Sequence, residues 1–311
     1  MNRGLRRLAR RVVGPQVAVW FHPAYRLPVP APHLAGHASP RRAADALTWA
    51  LELGVVSHQE VHEAPELRWE DAERVHDTGY LGALDQPSSI AQILALDEAV
   101  VSASELLETW RRACGATLEA ARWARRHRGR GVNLLGGFHH AHADRGGGLC
   151  ALNDVAITVA TLRRDGFDGP VAVIDLDAHP PDGIVALLGD DPRVTVLSLS
   201  GASAWEVPGA VAATVHDQRV PRGCDTRGYL QALDTLLQHL PLQPRPGLAL
   251  YLAGADPLEG DPLGGLAVSE GGLQLRDRRV FAALSGVPTV ALSAGGYLET
   301  SWRVLAGTLA E

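Results

Sequence analysis

Short apolar runs rich in Val, Leu and Ile recur along the chain, at Val17 to Phe21, Gly131 to Leu135, Val171 to Asp175, Val194 to Leu199, Leu248 to Leu252 and Val287 to Ser293. They are continuous rather than alternating, which predicts strands buried on both faces. Between them, apolar residues at spacings of three and four predict helices over Arg41 to Leu53, Ser104 to His127, Leu152 to Arg164, Thr226 to Leu240 and Glu270 to Leu284. Strands alternating with helices of this length need a crossover between parallel neighbours, so the fold class is α/β, a predominantly parallel sheet covered by helices on both faces. No repeat and no low-complexity linker interrupts the pattern. It reads as one domain over residues 16–311, preceded by an arm, residues 1–15, that carries five arginines.

In such sheets ligands bind beyond the carboxyl ends of the strands, so the residues just after each run carry the most information. Gly136-Gly137-Phe138-His139-His140 follows the Gly131 run, and Asp175-Leu176-Asp177-Ala178-His179-Pro180-Pro181-Asp182 ends the Val171 run. The Leu248 run leads into Gly254-Ala255-Asp256, and the last run into Ala294-Gly295-Gly296-Tyr297. His, Asp and Tyr thus gather beside glycine at four strand ends.

Composition narrows the chemistry. All 29 basic residues are Arg, which biased codon supply explains better than function, and the net charge of -6 disfavours a nucleic-acid partner. No apolar run approaches the roughly 18 residues of a membrane span, and no apolar segment backs the arginine arm as a secretion signal would require. Cys114, Cys150 and Cys224 are odd in number and outside any CxxC spacing, which excludes a disulfide framework and suits a reducing cytoplasm. The sequence carries no signal of oligomeric state. His22, His33 and His37 in the early Pro-rich segment read as solvated loop residues, and among the seven tryptophans only Trp205 falls in a loop relevant to a pocket.

Asp177 and His179 are one residue apart just past a strand, which puts both side chains on the same side of the chain. A carboxylate oxygen and an imidazole nitrogen suit Zn²⁺ or a similar divalent transition metal, whereas Mg²⁺ or Ca²⁺ would want more oxygens. A catalytic zinc keeps three protein ligands and one open position, so a third donor must come from another strand end, and Asp256 is the best candidate. The adjacent His139 and His140 bury poorly without partners, and Asp175 and Asp182 can supply them.

At these residues the sequence resembles the zinc-dependent histone deacetylase family, including its bacterial acetoin-utilisation and acetylpolyamine amidohydrolase relatives. Gly136 to Ala141 looks like the tandem-histidine motif and Gly147 to Asp154 like the glycine-rich segment that follows it. Ile174 to His179 resembles the metal motif, Ala255 to Leu258 with Gly260 to Gly264 the third-ligand motif, and Gly295-Gly296-Tyr297 the tyrosine motif. Weaker echoes lie at His22 to Tyr25 and Val75 to Tyr80. The resemblance implies one Zn²⁺ per chain on Asp177, His179 and Asp256, and hydrolysis of an amide in an N-acyl-lysine peptide or protein, or in another acylated amine. It implies His140 as general base with Asp182 oriented toward it, His139 paired with Asp175, and Tyr297 as donor to the oxyanion. It also implies Gly148, Leu149 and Gly295 beside the substrate, and a structural K⁺ near Asp175 and Ser198.

The chain departs from that family in two places. Pro180-Pro181 replaces a polar residue and a glycine, which calls the contact between Asp182 and His140 into question. Leu149 stands where an aromatic residue commonly lines the tunnel, with Trp205 or Val207 near Pro208-Gly209 as neighbours, leaving room for acyl groups larger than acetyl. Two rival readings remain open. One is a two-manganese ureohydrolase, whose Asp-Ala-His-x-x-Asp motif Asp177 to Asp182 resembles, although a paired Asp-x-Asp is missing around Asp256. The other is a catalytically inactive relative that binds acylated ligands.

Overall fold

The structure is a computed structural model, and it describes residues 16–26, 39, 41–201, 214–241 and 243–311. Eight strands form one sheet: β1 (Val17–Phe21), β2 (Val61–Glu63), β3 (Arg130–Asn133), β4 (Val171–Asp175), β5 (Val194–Gly201), β6 (Val215–Val220), β7 (Leu248–Leu252) and β8 (Thr289–Leu292). Among the described residues there are ten α-helices. The first five are α1 (Arg42–Glu52), α2 (Trp69–Ala72), α3 (Thr78–Ala83), α4 (Pro87–Leu94) and α5 (Ala103–His127). The others are α6 (Asp154–Arg164), α7 (Asp182–Leu188), α8 (Thr226–Leu237), α9 (Glu270–Ala283) and α10 (Trp302–Ala310). None of them is long and apolar enough to cross a membrane.

Every neighbouring strand pair is parallel, in the order β2-β1-β3-β8-β7-β4-β5-β6. All five residues of β4 and of β7 are buried, as continuous apolar runs require when both faces are covered. One cover consists of α2, α5, α6 and α7, which pack on one another, and a second chain of contacts links α1, α10, α9 and α8. From β4 the chain moves outward to β5 and β6, whereas β7 and β8 return to the middle of the sheet. That reversal opens a crevice at the carboxyl ends of β4 and β7.

Local signals account for the helix ends. The Asn153 side chain accepts from the Ala156 amide at the start of α6, and Asp225 and Ser269 do the same for Gly228 and Gly272 at α8 and α9. Arg125, Arg126 and His127 occupy the last turn of α5, where positive charge complements the helix dipole.

The elements that the apolar pattern does not predict are of two kinds. Edge strands β2 and β6 are half exposed and polar, as the sequence Val-His-Asp-Gln-Arg-Val of β6 shows. Helices α2, α3, α4 and α7 are four to eight residues long, too short to display a period, and α10 is buried over almost all of its last two turns.

Under the carboxyl end of β7 lies a fully buried polar knot. Arg276 of α9 donates to the Gly254 carbonyl and, at 2.8 Å, to Asp277. Asp277 in turn accepts from Tyr251 at 2.5 Å and from Thr308 of α10 at 2.7 Å. A buried guanidinium survives only with such partners. Here they fix the turn that carries Asp256.

Candidate metal centre

The sheet order makes β3, β8, β7 and β4 consecutive neighbours, so the four strand ends singled out by sequence open onto one place. Asp177, His179 and Asp256 each offer one ligand atom there, all within 4.8 Å of one another, and no other such group of three exists among the described residues. Backbone amides anchor one oxygen of each carboxylate: Gly295 donates to Asp177 Oδ2 at 2.7 Å, and Ala178 donates to Asp256 Oδ1 at 3.1 Å. The remaining oxygens, Asp177 Oδ1 and Asp256 Oδ2, lie 3.0 Å and 3.1 Å from His179 Nδ1.

Asp256 Oδ2 is buried and has no hydrogen-bond partner beyond its 3.1 Å contact with His179 Nδ1, an arrangement that suits a cation. Burial and then the charge of Asp177 raise Asp256 to about 7, while the neighbouring imidazoles hold Asp177 well below the usual carboxylate range against its own burial. Two buried carboxylates that cannot both ionise unaided, with an imidazole between them, suit a divalent ion of the zinc type.

The tandem histidines sit beside this triad and differ from each other. His139 Nδ1 is 2.9 Å from Asp175 Oδ2 and its Nε2 is 3.7 Å from Asp177. Burial opposes charge on His139, but the carboxylates of Asp175 and Asp177 outweigh it and hold the ring up at about 9. His140 is pushed down to about 4 by burial and by the charge of His139, although Asp182 Oδ1 lies 2.6 Å from its Nδ1. The rings of His139 and His140 are 4.0 Å apart, His140 and His179 6.0 Å, and His179 and Tyr297 6.4 Å, so one cluster connects them all. The prolines at 180 and 181 therefore leave Asp182 against His140.

Tyr297 is half buried. Burial and the charges of Asp177 and Asp256 push its hydroxyl well above the usual phenol range, so it keeps its proton. Its amide donates to Asp261 Oδ2 at 2.8 Å, and Asp261 Oδ1 accepts from Leu263 and Gly264. Gly264 can carry no side chain, because a Cβ there would fall 1.8 Å from the Asp256 carbonyl oxygen. The loop that steers Tyr297 is thus seated directly on Asp256.

A cavity of about 100 Å³ adjoins the centre, and its wall includes His139, Asp177, Gly148, Leu149, Gly295 and Tyr297. Leu149 is held in the left-handed region at φ 67, a strained position for a branched side chain. Its carbonyl accepts from Trp110 at 3.3 Å, while Tyr80 donates to the Ala151 carbonyl at 2.7 Å, and together they fix the glycine-rich segment. Trp205, Val207, Pro208, Gly209, His33 and His37 lie outside the described residues. Burial raises the Cys150 thiol well above its usual range, so it stays protonated.

Sequence reasoning missed several residues of this site. Arg42, on α1, donates to the carbonyls of Ser293 and Ala294 at 2.7 and 2.8 Å and lines the cavity, yet nothing in its local sequence separates it from a solvated helix start. The buried carboxylate of Asp154 accepts from the amides of Gly137 and Phe138 and from Thr117, which pins the turn before His139. Its place in the first turn of α6, after the cap Asn153, was the available signal. His142 is a third omission.

Comparison with known proteins agrees with this geometry. A family model described as the histone deacetylase domain matches residues 37–310. Histone deacetylase 2 of Arabidopsis thaliana is 36% identical over 246 residues, which cover 76% of this chain and 62% of the plant protein. An uncharacterised protein of a Picosynechococcus strain is 34% identical over 285 residues, covering 90% of this chain and 92% of the other. The fold matches the crystal structure of an acetylpolyamine aminohydrolase from Burkholderia pseudomallei, with a TM-score of 0.74 at 22% identity over 94% of this chain and 97% of that one.

Proposed function

The chain belongs to the histone deacetylase family, and from that premise we propose that it is a metal-dependent hydrolase of amides in N-acyl-lysine or other N-acylated amines. The observation that carries the reading is the convergence of Asp177, His179 and Asp256 beside His140 and Tyr297. These three residues would hold one Zn²⁺, which when bound supplies Lewis-acid polarisation of the acyl carbonyl and acidifies water. The catalytic unit is residues 16–311, with the arginine arm outside it.

His140 is the general base. Its depressed basicity keeps the ring neutral, and because Asp182 accepts from Nδ1–H the lone pair sits on Nε2. His140 takes a proton from the attacking water and returns it to the departing nitrogen as the C–N bond breaks, leaving a carboxylate and a free amine. His139, charged and held by Asp175, lowers the basicity of its neighbour. Tyr297 donates its O–H to the acyl oxygen as negative charge develops there.

Gly148, Leu149 and Gly295 border the acyl stem, and the absence of an aromatic ring at Leu149 leaves space for acyl groups larger than acetyl. The net charge of -6 favours cationic substrates. Ser198, paired in register with Asp175, has a buried hydroxyl without a hydrogen bond, which supports a K⁺ beside these two residues. Three free cysteines, two of them buried, suit the cytoplasm.

The test is a panel of acyl-lysine peptides and acylpolyamines of increasing acyl length, with and without a chelator. Release of free amine that the chelator abolishes is the expected result. Release of urea from guanidino substrates, or no turnover of any acyl amide by zinc-loaded protein, would overturn the reading.

A further inference from the structure

We propose that His142 is a positioning residue for the base His140, acting through the second oxygen of Asp182; this rests on the reading of the site given above. Asp182 opens α7 directly after Pro180-Pro181, two residues that offer no backbone N–H to steady a neighbouring carboxylate. The steadying comes from elsewhere. Asp182 Oδ1 is 2.6 Å from His140 Nδ1, and its Oδ2 is 3.0 Å from Nε2 of His142. Burial opposes ionisation of Asp182, but the hydrogen bonds from these two rings, with the nearby charge of His139, outweigh it and keep Asp182 below the usual carboxylate range, so it is ionised and can only accept. Both rings must then donate, which fixes hydrogen on His140 Nδ1 and on His142 Nε2.

His142 is itself held in place. It is buried at 8% exposure, its amide donates to the Arg145 carbonyl at 2.9 Å, and its own carbonyl lies 2.7 Å from His76 Nδ1. Because His76 Nε2 accepts from the Asn153 amide at 3.0 Å, His76 carries its hydrogen on Nδ1 and donates it to His142. The two sides of the clamp are also in backbone contact. Ile184 donates to the His139 carbonyl at 3.1 Å, and Gly183 approaches so closely that a Cβ would lie 2.4 Å from the Ala141 oxygen. A carboxylate anchored through one oxygen can swing about its last torsion, whereas one anchored through both presents a fixed plane to His140 and so aims the ring's Nε2. The two prolines and His142 act as one device: the turn removes local donors and the third histidine replaces them.

The test uses zinc-loaded protein. His142→Leu should lower kcat about tenfold with KM changed less than about twofold, and His142→Gln, whose amide nitrogen lies the same number of bonds from the backbone, should recover most of the loss. In an Asp182→Asn background His142→Leu should add less than about twofold. A second readout needs no substrate. The proton NMR signal of His140 Nδ1–H, identified by its loss in His140→Ala, should exchange with water about tenfold faster in His142→Leu and return toward the parent rate in His142→Gln. If the acyl-amide reading of the site fails, this exchange rate alone decides the clamp. Should the leucine variant not fold, His142→Asn, one bond too short to reach Asp182, takes its place. Leucine and glutamine variants equally impaired, a loss confined to KM, or wild-type turnover and exchange in the leucine variant would overturn the proposal.

Discussion

Replacing Tyr297 by Phe is expected to lower kcat by about 10² to 10³, the usual cost of one oxyanion donor, while leaving metal content and KM close to those of the parent. The hydroxyl is the only group removed, and it is the form that matters, because burial and the charges of Asp177 and Asp256 keep the phenol protonated at any working pH. The ring's position does not depend on the hydroxyl, since the Tyr297 amide is tied to Asp261 and that loop rests on Asp256. Loss of rate should therefore come without loss of fold, which side-by-side melting curves and steady-state kinetics can check. A Phe variant within about threefold of the parent would remove Tyr297 from the chemistry and favour a site that binds acyl ligands without cleaving them.

The second large effect is expected from Asp256→Ala. Removing one of the three proposed protein ligands should cut bound zinc from one per chain to well under 0.1 at equal free metal and lower activity by more than about 10³. The stability of the protein should respond differently with and without metal. Metal-free protein should change little, because the lost carboxylate both repels Asp177 and pairs with His179 and the Ala178 amide. Metal-loaded protein should lose stability, since binding to the native state no longer contributes. Paired thermal melts in chelator and in zinc separate these outcomes; a variant that retains one zinc per chain would show that Asp256 is not a ligand.

Much of this site is legible in the sequence because the strands that carry it are buried on both faces. Val171 to Asp175 and Leu248 to Leu252 stand out as unbroken apolar runs, and the polar residues after them have no structural task of their own in a buried sheet end. The edge strands give no such signal, since β2 and β6 bury little and alternate poorly. The same limit applies to residues whose meaning lies in a distant partner. His142 looks like any loop histidine until the fold brings Asp182 to it from 40 positions away, and Arg42 acquires significance only because α1 lies across the turn at Ser293 and Ala294. The Pro180-Pro181 turn teaches the converse. From sequence it threatens the contact between Asp182 and His140, yet the donors that hold Asp182 come from another segment, and the contact is 2.6 Å.

The most direct measurement is anomalous X-ray scattering at the zinc edge from crystals of zinc-loaded protein. The account predicts a single peak per chain bonded to Asp177, His179 and Asp256 together, next to His140 and Tyr297. Two peaks a few ångströms apart, or one peak that leaves Asp256 beyond bonding distance, would contradict it.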